Sequence, residues 1–399
     1  MRPICLGIVG AGWASRLHCN AMKQLGGFAV RLKTIADVFP ESAAKLQKEY
    51  GFENATTRFE DILEDPEIDA VILCTPPRFH LAQSIQALKA GKNVICEKPL
   101  NGYFGEPEDT KPVGTQVKKR DMYRKVLGQL DELERVVNES GKVFCYAENY
   151  IYSPNLRKAA ELIAAKGSSV TYIRAEESVR GSISAFGNTW ENIGGGTLMR
   201  IGCHPLGGAV YIKQKEAEAK GETVVPVSLV ADTGRMLDGL TEAERKYIRP
   251  ELLDVEDFAT VTITFSDNSK VTVFANDNAL GGVQNYVDIF LNDGTLRCRI
   301  TPTDDLDCYF VDDKGLENTV ISEAQPFKTG WNKAFVSEMI HRGYVDQLAD
   351  FFNCCLDGTQ PQSGFRQARL ICELIHAAYV SAEEGVRVYP EELKRELRG

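Results

Sequence analysis

The sequence predicts an α/β chain in two units. Residues 1–150 form a doubly wound parallel sheet, and residues 151–399 an α+β unit on a large, mostly antiparallel open sheet with helices at its C-terminal end. Three observations predict it. Short, near-continuous apolar runs recur at 4–9, 69–74, 93–96 and 142–147 and alternate with helical patterns, the mark of parallel strands buried on both faces. Beyond residue 154 the pattern alternates residue by residue, as at 258–265 and 270–274, around an Asp267-Asn268 turn that reads as a hairpin. The length of 399 residues also exceeds what one core usually fills.

The first run ends in Gly10-Ala11-Gly12-Trp13-Ala14-Ser15 and opens a helix through residue 25. The first glycine permits a tight turn, and the second lets backbone amides approach a pyrophosphate at the helix N-terminus. Ser15 stands where a third glycine is usual, and the motif alone also fits an ordinary strand–turn–helix. A strand at 30–36 leads to Asp37, which either accepts hydrogen bonds from ribose hydroxyls or caps a turn. Its charge opposes a 2′-phosphate, and Val38-Phe39 bring no arginine to receive one, so NAD is implied in preference to NADP. A helical segment at 41–50, then the stretch 59–63 leading to an Asp65-Pro66 turn, precede the strand 69–74, which ends in Thr75-Pro76-Pro77. His80 opens a helix at 80–90 with Leu81, Ile85 and Leu88 on one face. The strand 93–96 then delivers Glu97-Lys98 to the carboxyl edge of the sheet, where open α/β folds bind ligands, and Pro99 turns the chain.

Residues 101–121 break this rhythm with Gly102, Gly105, Pro107, Pro112 and Gly114. A loop of that length beside a site is either a lid or subunit contact, or disordered. A helix at 122–137 and a strand at 142–147, ending in Glu148-Asn149-Tyr150, complete the first unit.

In the second unit a helix at 156–165 and a strand at 171–179 lead to the triplet Gly194-Gly195-Gly196, followed by Thr197 and a helical turn from Leu198 to His204. Arg200 and His204 are four apart, which on an α-helix places them on one face. A polar helix at 241–247 carries no chemical signal. Strands at 286–291, 294–300 and 308–311 join the hairpin, and helices at 335–356 and 365–384 close the chain.

Composition excludes several function classes. A formal net charge of −10 with no basic run argues against nucleic acid as a partner. No apolar stretch approaches the ~20 residues that cross a bilayer, and Met1 to Val9 reads as a first strand rather than a leader. The eleven cysteines include no C-x-x-C and several sit in apolar runs, as free thiols of a reducing, cytoplasmic compartment do. The five histidines form no metal-binding spacing. Glu148, Glu176, Glu177 and Asp257 are weighed as oxygen ligands, but their spacing shows no motif and no metal is expected.

In order along the chain, Gly10-Ala11-Gly12, Asp37, Thr75-Pro76, His80 and Glu97-Lys98-Pro99 resemble the Gfo/Idh/MocA oxidoreductases, which include glucose–fructose oxidoreductase and inositol dehydrogenases. Gly194 to Leu198 and His204 match that family's second motif. Trp331 onward, with Phe351-Phe352 and Ser381-Ala382-Glu383-Glu384-Gly385, resembles its terminal helices. The resemblance spans nearly the whole chain, with 101–121 as an insertion. It implies a Rossmann first domain, with Gly10, Ala11, Gly12, Trp13, Asp37, Thr75, Pro76, His80, Glu97 and Lys98 around NAD. It also implies hydride exchange between nicotinamide and a hydroxyl of a sugar, polyol or sugar acid, and a homodimer or homotetramer joined through the open sheet. Lys98 would bond the reacting hydroxyl and His204 accept its proton, with the reverse assignment open. Tyr150, Arg180 and Trp190 are candidate pocket residues, since aromatic faces suit sugar rings.

The sequence departs from the family at Arg200, where an aspartate is usual. That aspartate would orient the imidazole. An arginine would instead lower the pKa of His204 by like-charge repulsion and offer a fork to a substrate carboxylate, or it would swing out to pair with a neighbouring acid. The carboxylate reading points to a sugar acid. Net isomerisation of such an acid with NAD retained, an NAD-dependent glycosidase and a non-catalytic NAD sensor are the alternatives. Intact Lys98 and His204 argue against the sensor.

Overall fold

In the computed structural model, residues 2–181, 187–248, 252–301, 307–310, 329–333 and 338–399 are described. Six parallel strands, β1 (Ile4–Val9), β2 (Val30–Ala36), β3 (Asn54–Thr56), β4 (Ala70–Leu73), β5 (Asn93–Cys96) and β6 (Phe144–Tyr146), form the first sheet in the order β3-β2-β1-β4-β5-β6. All residues of β1, β4, β5 and β6 are buried, which is why their apolar runs are continuous. The helices Trp13–Met22, Pro40–Tyr50, Pro77–Lys89 and Lys119–Ser140 start or stop within a few residues of the sequence expectation. β3 was not expected: it is three polar or small residues at the sheet edge, with no apolar pattern to reveal it.

The second sheet contains β7 (Val170–Ser178), β8 (Pro226–Gly234), β9 (Phe258–Phe265), β10 (Lys270–Asn276), β11 (Gln284–Leu291) and β12 (Thr295–Arg299), ordered β12-β11-β7-β10-β9-β8. Pairing is antiparallel except between β7 and β10. Burial alternates strictly along β9, so one face meets the core and the other does not. The helix Cys203–Lys220 lies on the buried face against β7, β10 and β11. Its first eleven residues are all buried, so it shows no polar stripe and the sequence pattern foretold only its first turn.

Residues 101–121 form an ordered strap packed on the chain's own second unit. Asn101, Gly102 and Tyr103 are buried, and a single helical turn spans Val113–Gln116. A Cβ on Gly102 would stand 2.9 Å from Cα of Gly194, so the strap and the glycine triplet approach backbone to backbone. Gly114 N donates to Asp254 Oδ2 at 2.9 Å, and Lys111 pairs with Glu191.

Two other expectations change. The helix foreseen at 335–356 is two, Glu338–His341 and Tyr344–Asp357, because Gly343 between them adopts φ 84°. Its start at Phe335, and the end of the last foreseen strand at Val311, lie outside the described residues. The polar segment 241–247 shrinks to one turn, Glu242–Arg245, held by a Thr241–Glu244 capping box. The helix Phe365–Glu384 matches its expected bounds, and a further helix, Pro390–Arg398, ends the chain.

Candidate active site

The first sheet reverses its order between β1 and β4, so the loops after these strands face one another across a crevice. Gly10 has φ 92°, and a Cβ there would lie 2.6 Å from the carbonyl oxygen of Cys74 in the opposite loop. At Gly12 a Cβ would meet nothing within 4 Å. The helix Trp13–Met22 starts there with no side-chain cap, so its first N–H groups point into that space. Open backbone donors at a helix N-terminus fit a pyrophosphate. Ser15, in place of the third glycine, is buried and its hydroxyl donates to Gly10 O. Asp37 accepts from Ala11 N at 2.6 Å and from Phe39 N at 2.9 Å, which fixes the carboxylate at the glycine loop and leaves it lone pairs for ribose hydroxyls. Trp13, Val38, Phe39 and Phe79 stand exposed just past the carboxyl ends of β1, β2 and β4. Four large apolar side chains in solvent at one edge are what a bound nucleotide would cover.

His80 is buried, with Nδ1 2.8 Å from Pro99 O and Nε2 2.8 Å from Thr75 O. It ties the loop after β4 to the turn after Lys98 and does not open on the crevice. Burial holds its pKa below the ordinary value, against the pull of both carbonyls. Thr75 donates to Gln83 Oε1 at 2.5 Å. Glu97 is also buried: it meets His18 Nε2 at 2.9 Å and accepts from Lys98 N at 3.0 Å. His80, His18 and Glu97 therefore position the Lys98 backbone. Lys98 Nζ donates to Arg200 O at 2.7 Å, crossing from the first sheet to the glycine-triplet segment.

That segment is held by Glu256. Its carboxylate accepts from Gly196 N at 2.8 Å, Leu198 N at 3.0 Å and Tyr379 Oη at 2.8 Å, although burial pushes its pKa up to about 7. The turn Leu198–Gly202 is a π-helix, wider than an α-turn, and leads into Cys203–Lys220. Here the expected sharing of a face by Arg200 and His204 does not form. Arg200 pairs with Asp277, a buried acid at the end of β10. His204 Nδ1 instead lies 2.9 and 3.0 Å from the two oxygens of Glu148. Burial first, then the charge of Lys98, holds His204 down to about 3, with Arg342 acting the same way; Arg200 is not among the leading causes. Burial pushes Glu148 up to about 8.

Tyr150 is fully buried beneath His204, its ring stacked on the imidazole at 4.9 Å and 12°. Its hydroxyl donates to Glu177 Oε2 at 2.6 Å and accepts from Asn285 Nδ2 at 2.9 Å. Tyr150 thus supports the histidine from behind and offers no sugar-stacking face. Trp190 is likewise buried, covered by Lys119 Nζ at 4.4 Å and Tyr379 at 4.9 Å. Arg180 is buried and donates to Tyr247 O at 3.2 Å. The carboxylates weighed as a cation site have separate partners: Glu176 accepts from Ser178, Glu177 from Tyr150, and Asp257 from the amides of Met236 and Leu237.

Sequence reasoning missed His18, Asp277 and Glu256, and weighed Glu148 only as a ligand to metal. Gly207, three residues past His204, marks the place of Glu148 only once the fold is known. A Cβ on Gly207 would stand 2.8 Å from Glu148 Cγ, so that position is empty to admit the carboxylate.

Comparison with known proteins agrees with this architecture. Residues 4–123 match the model of the oxidoreductase family with an NAD-binding Rossmann fold, GFO_IDH_MocA. The chain is 24% identical to the levoglucosan dehydrogenase of Pseudarthrobacter phenanthrenivorans, over 96% of this chain and 97% of that one. It is 36% identical to the inositol 2-dehydrogenase of Rhizobium meliloti, over 24% of this chain and 28% of that one. Among solved structures, GenD2 from gentamicin A biosynthesis, in complex with NAD, superposes with a TM-score of 0.78 at 22% identity, covering 98% of this chain and 97% of that one. A levoglucosan dehydrogenase in complex with NADH and L-sorbose gives a TM-score of 0.71 at 20% identity, covering 98% and 99%. The family match over residues 4–123 and the full-length relative, on a fold with this crevice, support a Gfo/Idh/MocA oxidoreductase.

Proposed function

We propose that this protein is an NAD-dependent dehydrogenase that oxidises a hydroxyl of a neutral sugar or polyol. The observation that carries the reading is the convergence of Lys98 and His204 where the first sheet meets the glycine-triplet segment. Lys98 is anchored through Arg200 O, and His204 is oriented by Glu148. Bound NAD supplies the hydride acceptor. Gly10, Ala11, Gly12 and the start of the helix Trp13–Met22 hold its pyrophosphate, and Asp37 its adenosine ribose. The Lys98 ammonium spends one of its three donors on Arg200 O and keeps two for the reacting oxygen, where its charge stabilises alkoxide. His204 Nε2 has no hydrogen-bond partner among the described residues and is the acceptor for the hydroxyl proton.

The pairing with Asp277 bears on the substrate. Compensated by a buried carboxylate, the Arg200 guanidinium is a poor anchor for a second one. Supplied with NAD and matched panels of neutral sugars, polyols and aldonic acids, the protein is expected to reduce NAD with neutral compounds. Arg200→Ala is expected to weaken all active substrates alike. A preference for acids that falls more than about tenfold in Arg200→Ala alone, the size of a charged hydrogen bond, would return the carboxylate reading.

The levoglucosan and inositol relatives support the choice of substrate class by their names. Preference for NAD rests on Asp37 and on Val38-Phe39, which bring no cation. Asp37→Ala is expected to raise KM for NAD about 10- to 100-fold and to leave or lower that for NADP. Equal use of both cofactors by the unaltered protein would refute that preference.

A further inference from the structure

We propose that Glu148 is the resting place of the proton taken from substrate, passed to it through His204. The inference rests on the dehydrogenase reading above and adds to it a positioning residue that no sequence spacing reveals. Both Glu148 oxygens lie within 3.0 Å of one ring nitrogen, Nδ1, so the carboxylate and imidazole share a single proton. Glu148 is fully buried, and its own backbone turn supplies one further bond, from Tyr150 N at 3.2 Å. The pair is held on two sides. Tyr150 stacks on the ring and Gly207 leaves the notch that Glu148 Cγ fills. Neighbouring charged and titratable groups are Lys98 and Glu97 after β5, Glu177 on β7, Arg342, Cys203 and Tyr146. The Cys203 thiol, pushed up by burial, stays protonated and does not compete for the proton.

The substrate O–H bond breaks and Nε2–H forms. The Nδ1–H bond breaks and an O–H bond forms on Glu148. The carbon's hydride leaves to the nicotinamide, and the C–O bond becomes a carbonyl. A neutral imidazole stands at both ends of the step, with its proton on Nδ1 before and on Nε2 after, so no imidazolium is left in a buried site. Burial favours this order, because it raises the carboxyl and depresses the imidazole. Oxidation needs the carboxylate form of the pair, and reduction the carboxyl form.

Two readouts on the full chain with NAD bound test it. With 15N-labelled histidine, the five imidazoles give a small set of ring signals, and His204→Gln assigns the relevant one. The expected result is a tautomer change from Nε2–H to Nδ1–H as pH rises through the ionisation of the pair, near 8, with no imidazolium above pH 5. In Glu148→Gln the change should vanish. Imidazolium at His204 near pH 6.5, or a tautomer indifferent to pH, overturns the proposal even if Glu148→Gln does not fold. The second readout is kcat for oxidation of a neutral substrate against pH. The unaltered protein should rise toward alkaline pH. Glu148→Gln should lose the rise and about 100-fold or more of kcat, with KM moving less than about threefold, while Glu148→Asp should recover part of the pH dependence. An unchanged pH profile in Glu148→Gln overturns the proposal. An unaltered protein that reduces NAD with no sugar or polyol refutes the dehydrogenase reading instead, and the ring titration still decides this one.

Discussion

Lys98→Met is expected to lower kcat/KM for sugar or polyol oxidation by about 10²–10³, with NAD binding little changed. The magnitude is that of removing one preorganised donor from a developing oxyanion. Methionine keeps an unbranched stem in the half-buried channel but removes the ammonium, so packing and charge are separated. The neighbouring architecture does not depend on the side chain: Glu97 holds the Lys98 amide, and His80 holds the carbonyl of Pro99. Among the described residues, the side-chain bond lost is that from Nζ to Arg200 O. NAD affinity can be followed by the fluorescence of Trp13, which is 59% exposed beside the glycine loop. A loss under about tenfold in kcat/KM would remove Lys98 from the chemistry and leave it a strut between the two sheets.

How far the site can be read from the sequence depends on where each partner comes from. Asp37 and the glycine loop are legible because a βαβ unit brings them together at a fixed spacing. Lys98 is legible because it ends an apolar strand. Glu148 is not, because it lies 56 residues before His204 and reaches it only when the helix Cys203–Lys220 packs on the segment after β6. Arg200 stands out in the sequence as a departure from the family pattern, but its partner Asp277 sits 77 residues on. The expected shared face of Arg200 and His204 fails for a local reason: the π-turn breaks the i, i+4 geometry on which it rested. The strap at 101–121 looked featureless in composition, yet its glycines are small because Gly194, Asp254 and Trp190 lie against them. The fold is more legible than the site because burial on two faces leaves a mark in the sequence, whereas a single long-range hydrogen bond does not.

The same distinction governs stability, and Lys213→Ala is expected to cost about 3–5 kcal/mol of unfolding free energy. Lys213 is one of the largest fully buried side chains. Its ammonium meets Glu216 Oε2 at 2.5 Å and Asp267 Oδ2 at 2.7 Å. Glu216, 2% exposed, also accepts from Val170 N at 3.0 Å and from Lys220 Nζ at 2.7 Å. One buried cation thereby joins the helix Cys203–Lys220 to the β9–β10 turn and, through Glu216, to the start of β7. Truncation leaves Glu216 charged in the interior with only the partly exposed Lys220 to offset it. The cluster of Arg31 and Lys33 with Glu53 and Glu67 has more bridges, but its glutamates stand in solvent, so Arg31→Ala is expected to cost far less. Raising salt should weaken that surface cluster and leave the Lys213 effect in place, since buried pairs are little screened. Denaturant unfolding of both variants at low and high salt makes the comparison, and a Lys213→Ala cost below about 1 kcal/mol would mean that the interior is wetter there than its burial implies. Lys213 lies more than two helical turns from His204, so the folded fraction of Lys213→Ala should keep its kcat.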